Sequence, residues 1–436
     1  MRILNILCLI ILISFNSALY SQTPKEYALQ VINKLTSPEF SGRGYVDDGM
    51  KKAANEIVNQ FEKIGVLKLG DSYFQTFTYP VNIIEDCSLK INDKQLTLGI
   101  DYLVGSGSPS LKGTFKPLPF NTAVIDSLFE WGDRSYFDLE MQRLNHKPVV
   151  FPDVRFIENL STRENTANQF YREIPQLISN GELEEINIPL AIEQTSSRFI
   201  HSLSPVQTST VNLFINSQSV PENIDKVDID LKTNFDSKFE SQNLVGYIPG
   251  ERSDSLVVLT AHYDHLGKIG NTIFPGANDN ASGVAFLLSM AKIYTKEKPK
   301  FTTFFIAFGG EEAGLKGSQY FVAHPLIDLN KIKFLINFDM VGTGEEGIQV
   351  VNGKEFPKQF NLLESINYKY NYLKEVKTRG SACNSDHCPF YNKQVPSFYI
   401  YTLGGKSGYH DIYDNSVSLY GYNQLIALTR KFLDNL

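Results

Sequence analysis

From about Leu244 to the C-terminus, apolar runs of strand length alternate with amphipathic runs of helix length. That alternation predicts an α/β fold with a mainly parallel central sheet flanked by helices. A second observation supports the class: each strand-like run ends on a side chain able to bind a metal, and in such sheets ligands sit outside the carboxyl ends of the strands. Between about Thr78 and Asn234 the text changes to short alternating runs, which predicts an inserted, mostly β lobe.

The chain has 436 residues, 42% of them apolar and 20% charged, with 22 Tyr and 30 Phe, enough apolar mass for a sizeable core. At that length one large domain with an insertion, or two domains, is expected. A formal charge of −7 with no basic stripe excludes a nucleic-acid partner and leaves a peptide substrate open.

In chain order, Met1-Arg2 leads into residues 3–15, apolar but for Asn5 and Ser14, and then into small residues. This is the pattern of a secretory signal over residues 1–21, cut after Ala18 or Ser21, and it is too short for a spanning helix. It predicts a secreted or periplasmic protein with no stable membrane insertion once the signal is gone. Cys87, Cys383 and Cys388 remain, and export permits a disulfide between the last two across a small loop. Met50, Ala53, Ala54, Ile57, Val58 and Phe61 recur at helical spacing, and Gly65 stops the helix. Runs at 87–91, 123–125 and 149–151 read as strands of the lobe, with one helix near 165–178. The lobe shows no clustered His, Cys or carboxylate set, so no chemistry is assigned to it.

The remaining elements each deliver a candidate ligand. Residues 256–261 form a buried-type strand ending at His262, followed by Asp279 and a helix with Val284, Leu287, Leu288 and Ala291 on one face. Residues 301–308 end at Gly309-Gly310-Glu311-Glu312, and a helix then runs through Phe321. Residues 332–338 end at Asp339. Residues 396–401 make a fourth strand, and the loop 404–410 after it reaches Tyr409-His410.

Two imidazoles with three or four carboxylates describe a hydrolase that binds two Zn2+. With Asp279 as the bridge, His262 and Asp339 complete one metal, and Glu312 and His410 the other. Each metal then keeps three protein ligands and an open position for water. Adjacent glutamates on an extended backbone cannot both face one metal, so Glu311 is expected to be the general base. Asp264, two residues after His262, is expected to orient that imidazole, since ligating histidines usually donate their other N–H to a carboxylate. Tyr409 is a candidate hydrogen-bond donor to an oxyanion. Asp386-His387 suits a bracing part near the site. Gly342-Thr-Gly-Glu-Glu-Gly347 matches a dinucleotide pattern, but two glutamates would repel a pyrophosphate and a strand follows where a helix is required.

These residues resemble the M28 family of zinc peptidases, the bacterial leucyl-type aminopeptidases and their relatives. The resemblance rests on Ser41-Gly-Arg-Gly44, His262-Tyr-Asp264, Asp279-Asn-Ala-Ser-Gly283, Gly310-Glu-Glu-Ala-Gly314, Asn337-Phe-Asp-Met340, Ser385-Asp-His387 and Tyr409-His410, in family order. It implies a zinc-aminopeptidase-like fold over 22–79 and 236–436, with residues 80–235 as an insert similar to a protease-associated lobe. It also implies His262, Asp279, Glu312, Asp339 and His410 as ligands, Glu311 as base, and a cis peptide after Asp279. The expected activity is N-terminal peptide-bond hydrolysis. Alternatives are a one-zinc glutaminyl cyclase and a carboxypeptidase- or dipeptidase-type relative. Relatives that have lost catalysis and serve as binding modules lack ligands, and none is missing here. The same ligand set would accept cobalt or manganese.

Overall fold

The computed structural model describes residues 22–153, 165–183, 186–221, 223–405 and 408–436. The segment read as a secretory signal lies outside them. Among the described residues no helix is long and apolar enough to cross a membrane.

Helix α1 (Pro24–Leu35) starts on a capping box, in which Thr23 accepts the Glu26 N–H and Glu26 accepts the Thr23 N–H. Helix α2 (Gly49–Ile64) buries Met50, Ala53, Ala54, Ile57 and Phe61, the stripe its spacing predicts, and ends at Gly65 with φ +90°. The sheet is built from β1 (Phe74–Ile91), β2 (Val227–Ile248), β3 (Arg252–His262), β4 (Phe301–Phe308), β5 (Ile332–Phe338), β6 (Gly347–Val351), β7 (Val376–Thr378) and β8 (Ser397–Leu403). Their spatial order is β7-β6-β8-β5-β3-β4-β2-β1. The expected parallel sheet is its centre, β8-β5-β3-β4, whereas β6 against β8, β2 against β4 and β1 against β2 run antiparallel.

Alternation along the strands divides the core in two. Phe305 and Ala307 of β4 join Val257, Leu259 and Ala261 of β3 under helix α3 (Ser282–Tyr294), with α1, α2, α5 (Pro357–Tyr370) and α7 (Tyr422–Asn435) on the same side. Phe304, Ile306 and Phe308 face the other way and meet Phe321 of α4 (Lys316–Ala323) and Phe390 of α6 (His387–Asn392). Both faces of the central strands are covered, so these strands read as continuous apolar runs. Their register pairs His262 with Phe308 and Phe338 with Ile400, which levels the carboxyl ends of the parallel strands. The glycine-rich 342–347 stretch leads into strand β6, in keeping with rejection of the dinucleotide pattern.

Strands β1 and β2 pair as a long ribbon from Phe74 opposite Leu244 to Ile91 opposite Val227. The chain between them forms a second sheet of five strands, in the order 102–104, 211–216, 190–195, 149–151 and 118–119, with all but the first pairing parallel. Helices Ala123–Glu130, Ser135–Leu144 and Asn165–Ser179 pack on it through Ile125, Phe137, Met141, Leu144, Ile174 and Ile178. The lobe is therefore mixed α/β rather than mostly β. Residues 123–125, expected as strand, open a helix, because an apolar run of three carries no period to tell the two apart.

Candidate active site

A fully buried arginine organises the backbone around the site. Arg43 donates from Nε to the Tyr263 carbonyl (3.0 Å), from Nη1 to Leu35 (3.3 Å) and Pro275 (2.7 Å), and from Nη2 to Gly276 (2.7 Å) and Asp279 (3.2 Å). All its donors go to main-chain carbonyls, which makes burial of the charge tolerable. Burial lowers its pKa to about 10, against the attraction of Asp414 and Asp279. Asp414 holds the same loop from the other side, accepting the N–H groups of Asn278 (2.9 and 3.1 Å) and Asp279 (2.9 Å). The Asp279–Asn280 peptide is cis, as the resemblance implies. Asn280 accepts from Gly283 (2.8 Å) and Met340 (3.2 Å) and donates to the Phe338 carbonyl (3.0 Å). A Cβ on Gly283 would lie 2.3 Å from Asn280 Oδ1 and 2.4 Å from the Phe338 carbonyl, so only glycine lets α3 begin this close to β5. Gly310, at φ +72°, turns the chain out of β4 toward Glu311 and Glu312.

The five expected ligands converge. Asp279 Oδ1 lies 3.2 Å from His262 Nε2, and its other oxygen Oδ2 lies 3.2 Å from His410 Nε2. Asp339 Oδ1 is 3.3 Å from His262 Nε2, and Glu312 Oε2 is 3.1 Å from His410 Nε2. Donors held about 2.0–2.1 Å from one tetrahedral zinc stand about 3.3 Å apart, so these spacings fit cations between the donors. His262, Glu311 and Asp339 offer ligand atoms within 4.8 Å of one another, as do His262, Asp279 and Glu312. The electrostatics agree with the geometry. Burial opposes a charge on His262, yet Asp339 and Glu311 hold its imidazole well above the ordinary value. His410 is raised to about 11 against its own burial, chiefly by Glu312 and Asp279. Burial, then Asp386, Asp339 and Glu312, raise Glu311 well above the usual carboxylate range, although His262 opposes the shift. The cluster is short of positive charge, a deficit that bound cations would meet.

Around these groups lies a supporting layer that sequence reading located only in part. The Asp264 carboxylate accepts the backbone N–H of Glu311 (3.1 Å) and Glu312 (3.3 Å), and burial raises its pKa to about 6. Its nearest approach to His262 Nδ1 is 3.9 Å, whereas the Asp264 backbone carbonyl stands 3.2 Å from that nitrogen. The expected side-chain contact is thus replaced by a main-chain one, and the carboxylate shapes the glutamate turn instead. Thr260 donates to Asn337 (2.7 Å), Asn337 to Ser385 (2.8 Å) and Ser385 to Asp339 Oδ2 (2.7 Å), a chain that orients Asp339. His265, whose only signal was a second histidine in His-Tyr-Asp-His, is buried with Nδ1 2.6 Å from Glu312 Oε1. Asp386 and His387 are both buried beside the site, and burial raises Asp386 to about 7. Cys383 and Cys388 form a disulfide bracketing them, and Cys87 stays free. Tyr409 stacks flat on the His410 ring, centroids 3.9 Å apart, at the edge of a cavity of about 580 Å³. That cavity is lined by the cluster and by Met340, Thr343, Arg379, Tyr399 and Tyr401.

A sheet whose parallel strand ends deliver imidazoles and carboxylates into one cavity has the architecture of an α/β metallopeptidase. Residues 243–426 match the model of peptidase family M28, and the chain carries a domain of that family. Among relatives, aminopeptidase YwaD of Bacillus subtilis is 32% identical over 164 residues, 36% of this chain and 34% of that protein. An aminopeptidase of Pseudomonas aeruginosa is 31% identical over 174 residues, 38% and 32% of the two. The match therefore spans about a third of the length of these relatives. In structure, the zinc aminopeptidase BSAP from Bacillus subtilis superposes with a TM-score of 0.66 at 19% identity, over 95% of this chain and 94% of that one. A peptidase M28 precursor from Shewanella amazonensis gives 0.62 at 15% identity, over 94% and 96%. These likenesses establish the fold.

Proposed function

We propose that this chain is an exported aminopeptidase that binds two zinc ions and removes residues from the N-terminus of peptides. The observation that carries the reading is the division of Asp279: one oxygen faces His262 and the other faces His410, each at 3.2 Å. His262 and Asp339 would hold one metal, Glu312 and His410 the other, with Asp279 between them. Bound zinc supplies a Lewis acid that polarises a carbonyl and brings the pKa of water toward neutrality.

The remaining chemistry belongs to the side chains. Glu311, its carboxyl held above the usual range, takes a proton as water attacks the scissile carbonyl carbon. It returns that proton to the departing amine nitrogen, so one water is consumed per peptide bond. The Tyr409 hydroxyl, at the cavity edge, donates to the oxyanion. Removal from the N-terminal end is the activity for which the relatives matched in this region are named. Export is supported by the signal-like residues 1–21 and by the Cys383–Cys388 disulfide.

The test is Glu311→Gln. Zinc content is expected to stay at two per chain while turnover of aminoacyl substrates falls 10²–10⁴-fold, as loss of a general base implies. Unchanged turnover overturns the role of Glu311, and activity confined to N-blocked peptides overturns the aminopeptidase reading. One zinc per chain with ammonia released from N-terminal glutamine would instead mark a cyclase.

A further inference from the structure

Among its described residues, the lobe between β1 and β2 supplies none of the candidate ligands but reaches the site at His201. His410 Nδ1 stands 3.1 Å from the backbone carbonyl of His201, and the His201 N–H donates to the His410 carbonyl at 2.9 Å. Three residues earlier, Arg198 forms an ion pair with Asp411, which is 4% exposed and directly follows His410. The His201 ring is buried and stacks on Phe274, centroids 4.8 Å apart, within the segment joining His262 to Asp279. The apolar core supports the same junction: Leu266, Ile269 and Phe274 share a cluster with Leu89, Tyr102, Leu213 and Ile229, and Ile412 packs against it.

We propose that residues 198–201 are a clasp that positions His410, making the lobe a working part of the metal centre. A histidine that ligates through Nε2 carries its proton on Nδ1, and the acceptor of that proton sets the ring's tautomer and orientation. Here the acceptor is the His201 carbonyl. The return bond from the His201 N–H ties the two backbones together, so the ring follows the lobe rather than a free loop. His410 sits at φ +55°, a conformation unusual for a residue with a side chain, and the paired bonds hold it there. The loop that begins at His410 also carries Asp414, the acceptor for the Asp279 N–H. A shift of the lobe would therefore reach one ligand directly and the bridging one through a short stretch of chain. Arg198 and His201 are positioning residues in this account.

The inference rests on the two-zinc reading, so its test measures the metals separately. Zinc binding to the full chain is titrated in metal-buffered solution for wild type, Arg198→Ala, Arg198→Gln, and Lys112→Ala, a control that breaks an exposed ion pair of the lobe with Asp230. Thermal unfolding of each zinc-free protein is recorded alongside. The expected result is two zincs in wild type and control, with one of the two affinities about 10-fold lower in both Arg198 variants, in the range seen when an outer partner of a ligand is removed. The other affinity stays in place, and the zinc-free Tm falls by a few degrees at most, as Arg198 is half exposed and the buried Asp411 keeps the Tyr413 N–H as a partner. Wild type that takes up one zinc overturns the two-zinc reading and the clasp with it. Two zincs whose affinities do not move in either Arg198 variant, or fall equally together with the zinc-free Tm, overturn the clasp alone.

Discussion

Asp279 is the residue on which most of the site's geometry turns. Its two oxygens face different imidazoles, and its N–H and carbonyl are held by Asp414 and Arg43. Asp279→Asn keeps the shape but removes the charge and puts an N–H₂ where one metal would need an anionic oxygen. It is expected to retain less than one zinc per chain after dialysis; retention of two would remove Asp279 from its bridging role. Asp386 yields a prediction with a definite sign. Burial raises its pKa from 3.8 to about 7, so the stability contribution is complete below about pH 4 and is lost as pH rises through 7. In zinc-free protein, Asp386→Asn should match wild type at pH 4 and exceed it at pH 8 by roughly 2–4 kcal/mol, from 1.36 kcal/mol per unit over about three units. Urea unfolding at the two pH values measures this, and equal stability at both would show that the carboxyl is not strained by burial.

At the scale of elements, the loops after the strands depend on close backbone contacts. The Arg43 guanidinium serves the carbonyls of five residues, from Leu35 to Asp279. Arg43→Lys retains the charge but has three donors in place of five, and it should lower stability by about 3 kcal/mol in urea. A loss under about 1 kcal/mol would mean that solvent replaces the missing bonds. At the start of α3, Gly283→Ala drives a methyl into Asn280 and the Phe338 carbonyl. A destabilisation of about 1–3 kcal/mol is expected from such overpacking, read by the same measurement. These loops also show where sequence patterns lose their reach. The strand ends at His262, Phe308 and Phe338 were legible because parallel strands covered on both faces are mostly apolar, and each of these runs gives way to a turn glycine or an ionisable side chain. The helix at Ala123–Glu130 was not, because its first three residues suit a strand equally well.

Taken whole, the molecule concentrates buried carboxylates at the carboxyl ends of its central strands, which costs stability unless cations compensate. Removal of metal by a chelator should therefore lower Tm, and added zinc should restore it. At free zinc 100-fold above Kd the expected linkage is about 2.7 kcal/mol for each site. A Tm indifferent to chelator would argue against metals held by this cluster. Read without the structure, the sequence determined the α/β class, the order of strands and helices from residue 256 to residue 338, and the ligand-type residues at strand ends. All of these follow from local periodicity and from the rule that places sites at strand carboxyl ends. Only the tertiary structure decided which groups steady those residues: Arg43 bonds a carbonyl 220 positions away, Asp414 an N–H 136 away, and His201 an imidazole 209 away. A hydrogen bond between segments so distant leaves no period in either, so the partner of His410 became visible only once the lobe was folded against it.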